Sequence, residues 1–515
     1  MTILQLRFSR RRALALFAGA ALSLASLSAQ TRQPKLVLGL VIDQFRYDYL
    51  TRYRSEYTSG LKRLMDEGAN FTNANYRHYP TLTAVGHSTF LSGATPSVSG
   101  IIGNEWFDRE RKELVTSVSD PRVRLVGANG GGSSPRKLLP STIGDELKSA
   151  GKGGKIIGIS IKDRSAILPS GHSADAAYWM DSPSGKFVTS TFYMNALPGW
   201  LDDVNKGKPA DKYAGQLWLD HKMPEAGRSL YDELPYTPYG NELIQLAALR
   251  ALGAERLGTG AKTDLLTVSY SSNDYVGHRY GPDSPEAKDA AIRVDRLVGE
   301  LIQAAETQAG AGNVLVVLTA DHGVAPLPEQ ALKDRKIVAG RLDEQSIGTT
   351  LDLVLSAKFG GSHWISDISS VGIYLDLATV GGQKVDLSEV EEVAASTLRS
   401  LPHIARAYTR TQLLRGEIPS DPIGNAFRNG YYGPRSGNVL YLQDPYWIAS
   451  ATGTTHGTPY AYDTHVPLLF WGPQIKAGRY NAEAAPNDIA PTLATILDIE
   501  TPSGSSGRVL TEMLK

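Results

Sequence analysis

The stretch Val314-Leu-Val-Val-Leu-Thr-Ala-Asp-His-Gly323 decides the fold. An apolar, β-branched run of this length reads as a buried strand of a parallel sheet. It stops at Asp321 and His322, a carboxylate and an imidazole, which together suit a divalent metal. In open α/β sheets, ligands collect beyond the carboxyl ends of strands, so the position of the pair matters as much as its chemistry. By itself the pair also fits a strand end whose Asp caps a turn.

Further strands of the same kind follow from this one. Leu36-Val-Leu-Gly-Leu-Val-Ile-Asp43 is a second buried run ending in a carboxylate. Lys155–Ile161 is a third and delivers Lys162-Asp-Arg164, a point charge and a planar fork suited to phosphate oxygens. Asp264–Tyr270 is a fourth and leads into Ser271-Ser-Asn-Asp-Tyr-Val-Gly-His278. There Asp274 and His278 stand four apart, on one face if the segment is helical. An amphipathic helix over Pro285–Ala309 returns the chain to Val314, giving the β–loop–α–β unit of a parallel sheet.

Two segments bring hydroxyl and amide groups. In Pro80-Thr-Leu-Thr-Ala-Val-Gly-His87 the second half is helical, so Thr83 falls near a helix N-terminus, where the dipole favours an alkoxide or a phosphate; an N-cap is the simpler role. His87, four residues on, fits a packing or hydrogen-bonding role. Asn104 offers an amide to an anion or closes a turn. Near the end, Thr454-Thr-His456 and Asp463-Thr-His465 precede the strand Val466–Trp471. Spacing alone does not choose between Thr81 and Thr83, or between His456 and His465.

The 515 residues are 42% apolar and 21% charged, ordinary for a soluble globular protein. Lys+Arg 53 balances Asp+Glu 53, so no molecular field favours nucleic acid or an acidic membrane, and an anion site must be built locally. Cysteine is absent, which removes disulfides and leaves His, Asp and Glu to hold any metal.

Residues 1–29 have the three parts of a secretory signal peptide: Arg7 and Arg10–Arg12, an apolar run Ala13–Leu27, then small residues. The run is short for a membrane span. Ser9-Arg-Arg-Arg-Ala-Leu14 also resembles a twin-arginine export signal, with Ala where Phe is usual. The expected location is periplasmic or secreted, with no stable membrane span once the signal is removed.

Taken together, the motifs Val-Ile-Asp43, Pro-Thr-Leu-Thr83-Ala-Val-Gly-His, Gly-Ile-Ile-Gly-Asn104, Lys162-Asp-Arg164, Asn-Asp274-Tyr-Val-Gly-His278, Ala-Asp321-His322-Gly and Thr-His456-Gly resemble the alkaline phosphatase superfamily. The likeness is strongest to the bacterial PafA-type enzymes and more distant to nucleotide pyrophosphatase/phosphodiesterases. The resemblance implies an α/β fold: a three-layer αβα sandwich with a mostly parallel central sheet and inserted cap segments. Residues 30–515 would form it, with insertions at about 165–260 and 326–450; no chemistry is assigned to the second. It also implies two zinc ions, one among Asp43, Thr83, Asp321 and His322, the other among Asp274, His278 and His456. It selects Thr83 over Thr81 and His456 over His465. Thr83 would be the nucleophile, forming a phosphothreonine, and Asn104, Lys162 and Arg164 would neutralise the phosphate oxygens. The Lys/Arg pair marks the monoesterases, so the expected substrates are small phosphate monoesters, with inorganic phosphate as product. Enzymes of the superfamily with a serine nucleophile differ: Thr stands for Ser here, and no counterpart of their third, magnesium site is found. A phosphodiesterase uses the same groups and is the alternative, ahead of a non-catalytic metal- or phosphate-binding protein. A sulfatase would need a C/S-x-P-x-R run, which this chain lacks.

Overall fold

The computed structural model describes residues 33–515, of which Pro34–Lys515 form one compact unit. The expected signal peptide, 1–29, lies outside the described residues. The centre is an 11-stranded sheet. Its middle is parallel: Leu36–Ile42 lies between Val314–Thr319 and Thr263–Tyr270, and Gly153–Ile159 and Ala176–Asp181 continue beyond Thr263–Tyr270. Antiparallel strands flank this middle: Leu468–Trp471 pairs with Val314–Thr319 on one side, and Lys186–Ser190 pairs with Ala176–Asp181 on the other.

Both faces of the parallel strands are covered, which is why runs such as Leu36–Ile42 and Val314–Thr319 are apolar at almost every position. The pleat divides them. Leu36, Leu38, Leu40 and Ile42 pack into one core with residues of the Pro238–Ala254 and Pro285–Ala309 helices. Val37 and Val41 face the other core with Phe90, Ile143 and Leu493, from the helices Thr83–Ser92, Ile143–Ser149 and Ile489–Leu497. Each such side chain, fully buried, contributes about 1.5–3 kcal/mol relative to exposure. Gly39 has no side chain because Phe90 occupies its place: a Cβ there would lie 3.3 Å from the ring. The result is the three-layer αβα sandwich with a mostly parallel sheet.

The stretch 165–260, expected to lie over the strand ends, is in part a continuation of the sheet. Ala176–Asp181 and Lys186–Ser190 are two of its strands, and Pro238–Ala254 is one of its covering helices. The aromatic content of Ala-Ala-Tyr-Trp-Met-Asp blurs the strand pattern, although its first five residues are buried. Within 326–450 lies a separate antiparallel sheet of four strands, in the order Ile365–Ser369, Gly372–Leu375, Val439–Gln443, Ile404–Thr409. The helices Glu344–Phe359 and Leu387–Ser400 supply Ile347, Leu351, Ala394 and Leu398 to the core shared with that sheet.

Candidate active site and metal centre

Because the four central strands run parallel and are neighbours, their carboxyl ends fall on one edge of the sheet. Asp321 and His322 follow Val314–Thr319, Asp43 follows Leu36–Ile42, Asp274 lies in the Ser272–Tyr280 helix after Thr263–Tyr270, and Lys162 follows Gly153–Ile159. Asp43, Asp321 and His322 are buried with relative exposures of 0%, 1% and 0%, so their charges must be answered locally.

Two groups of ligand-type side chains result, each with its atoms within 4.8 Å of one another: Asp274, His278 and His456 in one, Asp43, His87 and Asp321 in the other. Asp274 Oδ1 lies 3.2 Å from His278 Nε2 and 3.6 Å from His456 Nε2. The helical spacing expected for Asp274 and His278 is present. His322 Nε2 lies 3.3 Å from Asp321 Oδ2, and the His322 ring stacks on His456 with centroids 3.4 Å apart. His322 thus stands between the two groups, against Asp321 of one and His456 of the other.

The imidazoles share one arrangement. His278 Nδ1 meets the Thr454 carbonyl at 2.7 Å, His322 Nδ1 the Gly323 carbonyl at 2.9 Å and His456 Nδ1 the Thr81 carbonyl at 2.8 Å. In each, Nδ1 donates to backbone, which leaves Nε2 as the free lone pair; this is how metal-binding histidines are usually fixed. Asp321 Oδ2 is buried and makes no hydrogen bond among the described residues, and Asp43 Oδ2 has only the Lys162 ammonium, 3.0 Å away. Buried carboxylate oxygens with so few partners, beside oriented imidazoles, fit divalent cations.

Thr83 is the first residue of the Thr83–Ser92 helix, and Leu82, not Thr83, is the N-cap, without a side-chain cap. The simpler role considered for Thr83 therefore does not apply. Its Oγ1 lies 3.4 Å from His322 Nε2. All ten residues of this helix are buried. Gly86 allows it to approach Asp321 closely: a Cβ there would be 2.2 Å from the Asp321 carbonyl oxygen. Thr81 is elsewhere, its Oγ1 donating to the Thr458 carbonyl at 2.8 Å. His465 is also apart, its Nε2 3.0 Å from the Thr72 carbonyl and its ring stacked on Tyr47.

Asn104 Oδ1 accepts the Ala84 N–H at 2.8 Å, which leaves Nδ2 without a partner among the described residues. Lys162 and Arg164 differ from each other. Lys162 Nζ sits 2.6 Å from Asp274 Oδ2 and 3.0 Å from Asp43 Oδ2, bridging the two groups. Arg164 has no carboxylate partner among the described residues, and its Nε is buried without a hydrogen bond.

Burial and charge pull against each other here. Burial alone would lower the Lys162 ammonium, but Asp274 and Asp43 outweigh it and raise it. Burial alone would raise the Asp274 carboxyl, but Lys162, His278 and His456 hold it well below the usual range. Burial, reinforced by Asp43, pushes Asp321 well above it. Burial lowers His322 to about 4, and burial with the neighbouring His322 and His278 holds His456 well below the usual imidazole value, so both rings are neutral.

Two supporting residues, Ser269 and Gln44, lie outside the motifs, and His87 joins them in the hydrogen-bonding role expected of it. Ser269 Oγ donates to Asp43 Oδ1 at 2.5 Å and meets His87 Nε2 at 2.9 Å, while His87 Nδ1 meets the Thr83 carbonyl at 2.8 Å. His87 therefore has both ring nitrogens in hydrogen bonds. Gln44 donates from its backbone to Asp321 Oδ1 at 2.9 Å and from Nε2 to Asp274 Oδ1 at 2.7 Å, tying the two groups together. The one signal for these residues was their place: Gln44 directly after Asp43, and Ser269 as a hydroxyl interrupting a buried strand near its end.

A mostly parallel sheet with two such groups beside a helix-terminal hydroxyl has the makings of a metal-dependent phosphoryl-transfer enzyme. Residues 37–465 match the type I phosphodiesterase / nucleotide pyrophosphatase family, and the chain belongs to it, within the alkaline phosphatase superfamily. It is 37% identical to alkaline phosphatase PhoV of Synechococcus elongatus, over 94% of this chain and 93% of that one. It is 35% identical to alkaline phosphatase PafA of Elizabethkingia meningoseptica, over 94% and 95% respectively. A Myroides odoratus protein named calcium-transporting ATPase is 35% identical over 95% of this chain and 96% of its own. The crystal structure of wild-type PafA superposes with a TM-score of 0.87 at 33% identity, covering 94% of this chain and 99% of that one. No helix among the described residues is long and apolar enough to cross a membrane.

Proposed function

We propose that the protein is an exported phosphomonoesterase working through a phosphothreonine at Thr83, with two zinc ions held by Asp43, Thr83, Asp321 and His322 on one side and Asp274, His278 and His456 on the other. The observation that carries this reading is the Thr83 hydroxyl, free of any capping bond at a buried helix N-terminus and 3.4 Å from His322 Nε2. When bound, such ions supply the Lewis-acid charge that ionises a hydroxyl and stabilises a leaving oxygen.

The chain's own groups do the rest. The Thr83 helix points backbone N–H groups at the transferred phosphoryl, where negative charge is favoured. Asn104, anchored through Oδ1, turns its amide donor to the phosphate. Arg164, without a carboxylate partner, offers a planar fork to two non-bridging oxygens, and Lys162 adds a point charge beside it. Such fixed donors act most strongly as charge develops in the transition state. Two cations reward the dianion of a monoester over the single charge of a diester. The names of PhoV and PafA support this choice. The family description favours a second reading, a phosphodiesterase with the same nucleophile. Export rests on the composition of residues 1–29.

The test is to quench enzyme turning over a labelled monoester and map the label. Phosphate on Thr83, together with loss of turnover in Thr83→Ala by at least about a thousandfold, is expected for removal of a covalent nucleophile. Undiminished turnover in that variant ends the reading. Comparing p-nitrophenyl monoester and diester rates separates the two substrate classes, and metal analysis before and after chelation counts the ions.

A further inference from the structure

The second inserted segment carries a wall of the active site. A cavity of about 260 Å³ has Asn104, His278 and His456 on one side and, from residues 326–450, Glu344, Ser369 and Tyr441 on the other. That volume takes several water-sized groups, room enough for a small polar leaving group. Its inner side is made of candidate phosphate- and metal-binding residues, so whatever occupies it is attached to the phosphate.

The chemistry of the outer wall is acidic. Glu344 Oε1 accepts the Tyr441 hydroxyl at 2.9 Å. Oε2 has no hydrogen-bond partner, and no Lys, Arg or His lies within ion-pair distance of this carboxylate among the described residues. A second acid, Asp367, stands close enough to raise Glu344 further after burial has raised it. Asp367 Oδ2 and Ser369 Oγ are both buried without partners. The phosphate side of the site is the reverse, with Lys162 and Arg164. A half-buried carboxylate with no cation of its own is stabilised by a cation supplied from outside and repels an anion.

Resting on the phosphomonoesterase reading, we propose that this cavity receives the leaving group and that Glu344 selects monoesters whose leaving group carries an ammonium. Esters with a second negative charge on the leaving group are disfavoured by the same carboxylate. The inserted segment thus sets leaving-group preference while the sheet edge performs the chemistry.

The test uses the metal-loaded enzyme and two esters matched in size, 2-aminoethyl phosphate and 2-hydroxyethyl phosphate, at pH 8, where the amine is protonated. The expected kcat/KM ratio favours the amine by about three- to fivefold, the upper part of the range of a single partly exposed charge pair. In Glu344→Gln, which keeps an acceptor for Tyr441, the ratio should fall to within about twofold of unity, and Glu344→Lys should shift preference to phosphoglycolate by a similar factor. A ratio that is the same in wild type and Glu344→Gln overturns the assignment while leaving the phosphomonoesterase reading intact. Turnover of neither ester, alongside turnover of a diester, defeats that reading and the assignment with it.

Discussion

Lys162 bridges the two groups of acids, and its removal gives a sharp test of how they are held. Its ammonium is 2.6 Å from Asp274 Oδ2 and 3.0 Å from Asp43 Oδ2, with only 5% of the residue exposed. In Lys162→Met the apolar length of the side chain remains, but two buried carboxylates lose their cation. Removing one partner of a buried ion pair costs about 3–5 kcal/mol. The roughly 480 residues from Pro34 to Lys515, at about 2.1 cal/mol/K each, give an unfolding entropy of about 1 kcal/mol/K, so Tm should fall by about 3–5 °C. A divalent cation among the same carboxylates neutralises them in place of the lysine, so the fall belongs to chelated protein and should shrink to about 1 °C at saturating zinc. The sign with pH follows from the shifts. The raised Lys162 and the depressed Asp274 keep the pair charged, so its contribution is present above the unfolded carboxyl value and is lost as pH falls through the depressed Asp274 value. Calorimetric scans of both proteins, with chelator and with zinc, read the effect directly. A chelated variant that melts with the wild type, or an equal fall in both conditions, would falsify this account.

Two further outcomes are expected. Arg164→Ala removes a cation that has no carboxylate partner among the described residues, and should lower monoester kcat by about 10²–10³, as for loss of one oxyanion donor, but diester kcat by no more than about tenfold; equal losses in steady-state assays would exclude a role in charge recognition. His78 is buried beside Tyr76 with both ring nitrogens unpartnered, and burial lowers it to about 3. The unfolded chain, titrating near 6.5, takes up the proton first, so stability is fully present above that value and is lost towards pH 3, by up to about 4–5 kcal/mol. Denaturant titrations of His78→Phe should show a flatter acid limb, and an unchanged limb would place acid sensitivity elsewhere.

The parallel centre was readable because it is fully buried. Leu36–Ile42 and Val314–Thr319 are apolar at almost every position, and a run of that kind with a carboxylate at its end has few other structures open to it. The side chains at those ends were readable too, because Asp43, Lys162, Asp274 and Asp321 are fixed in space once neighbouring strands run parallel. The edges of the sheet were less so. Ala176–Asp181 mixes small and aromatic residues, and its membership in the sheet is decided by long-range pairing with Gly153–Ile159. Glu344 is the clearest case of information absent from local sequence. It is the first residue of an ordinary helix, and only the closing of the four-stranded sheet sets it across a cavity from His278 and His456.

The pairing of Lys162 with Asp43 and Asp274 has a consequence for how the site handles charge. Lysine and arginine two residues apart were expected to neutralise the oxygens of one phosphate, and the fold gives them different surroundings. Lys162 is held by carboxylates on both sides, whereas Arg164 has none among the described residues. A phosphate therefore meets one cation that is free and another that must be shared with the acids. Only when other cations occupy those acids is the ammonium released to the substrate. On this argument the loss caused by Lys162→Met in turnover depends on how fully the metal sites are loaded, while the loss caused by Arg164→Ala does not. Measuring both against zinc concentration separates them: parallel curves would mean that the two side chains act as one unit, and curves that diverge at low zinc would mean that the acids control the lysine.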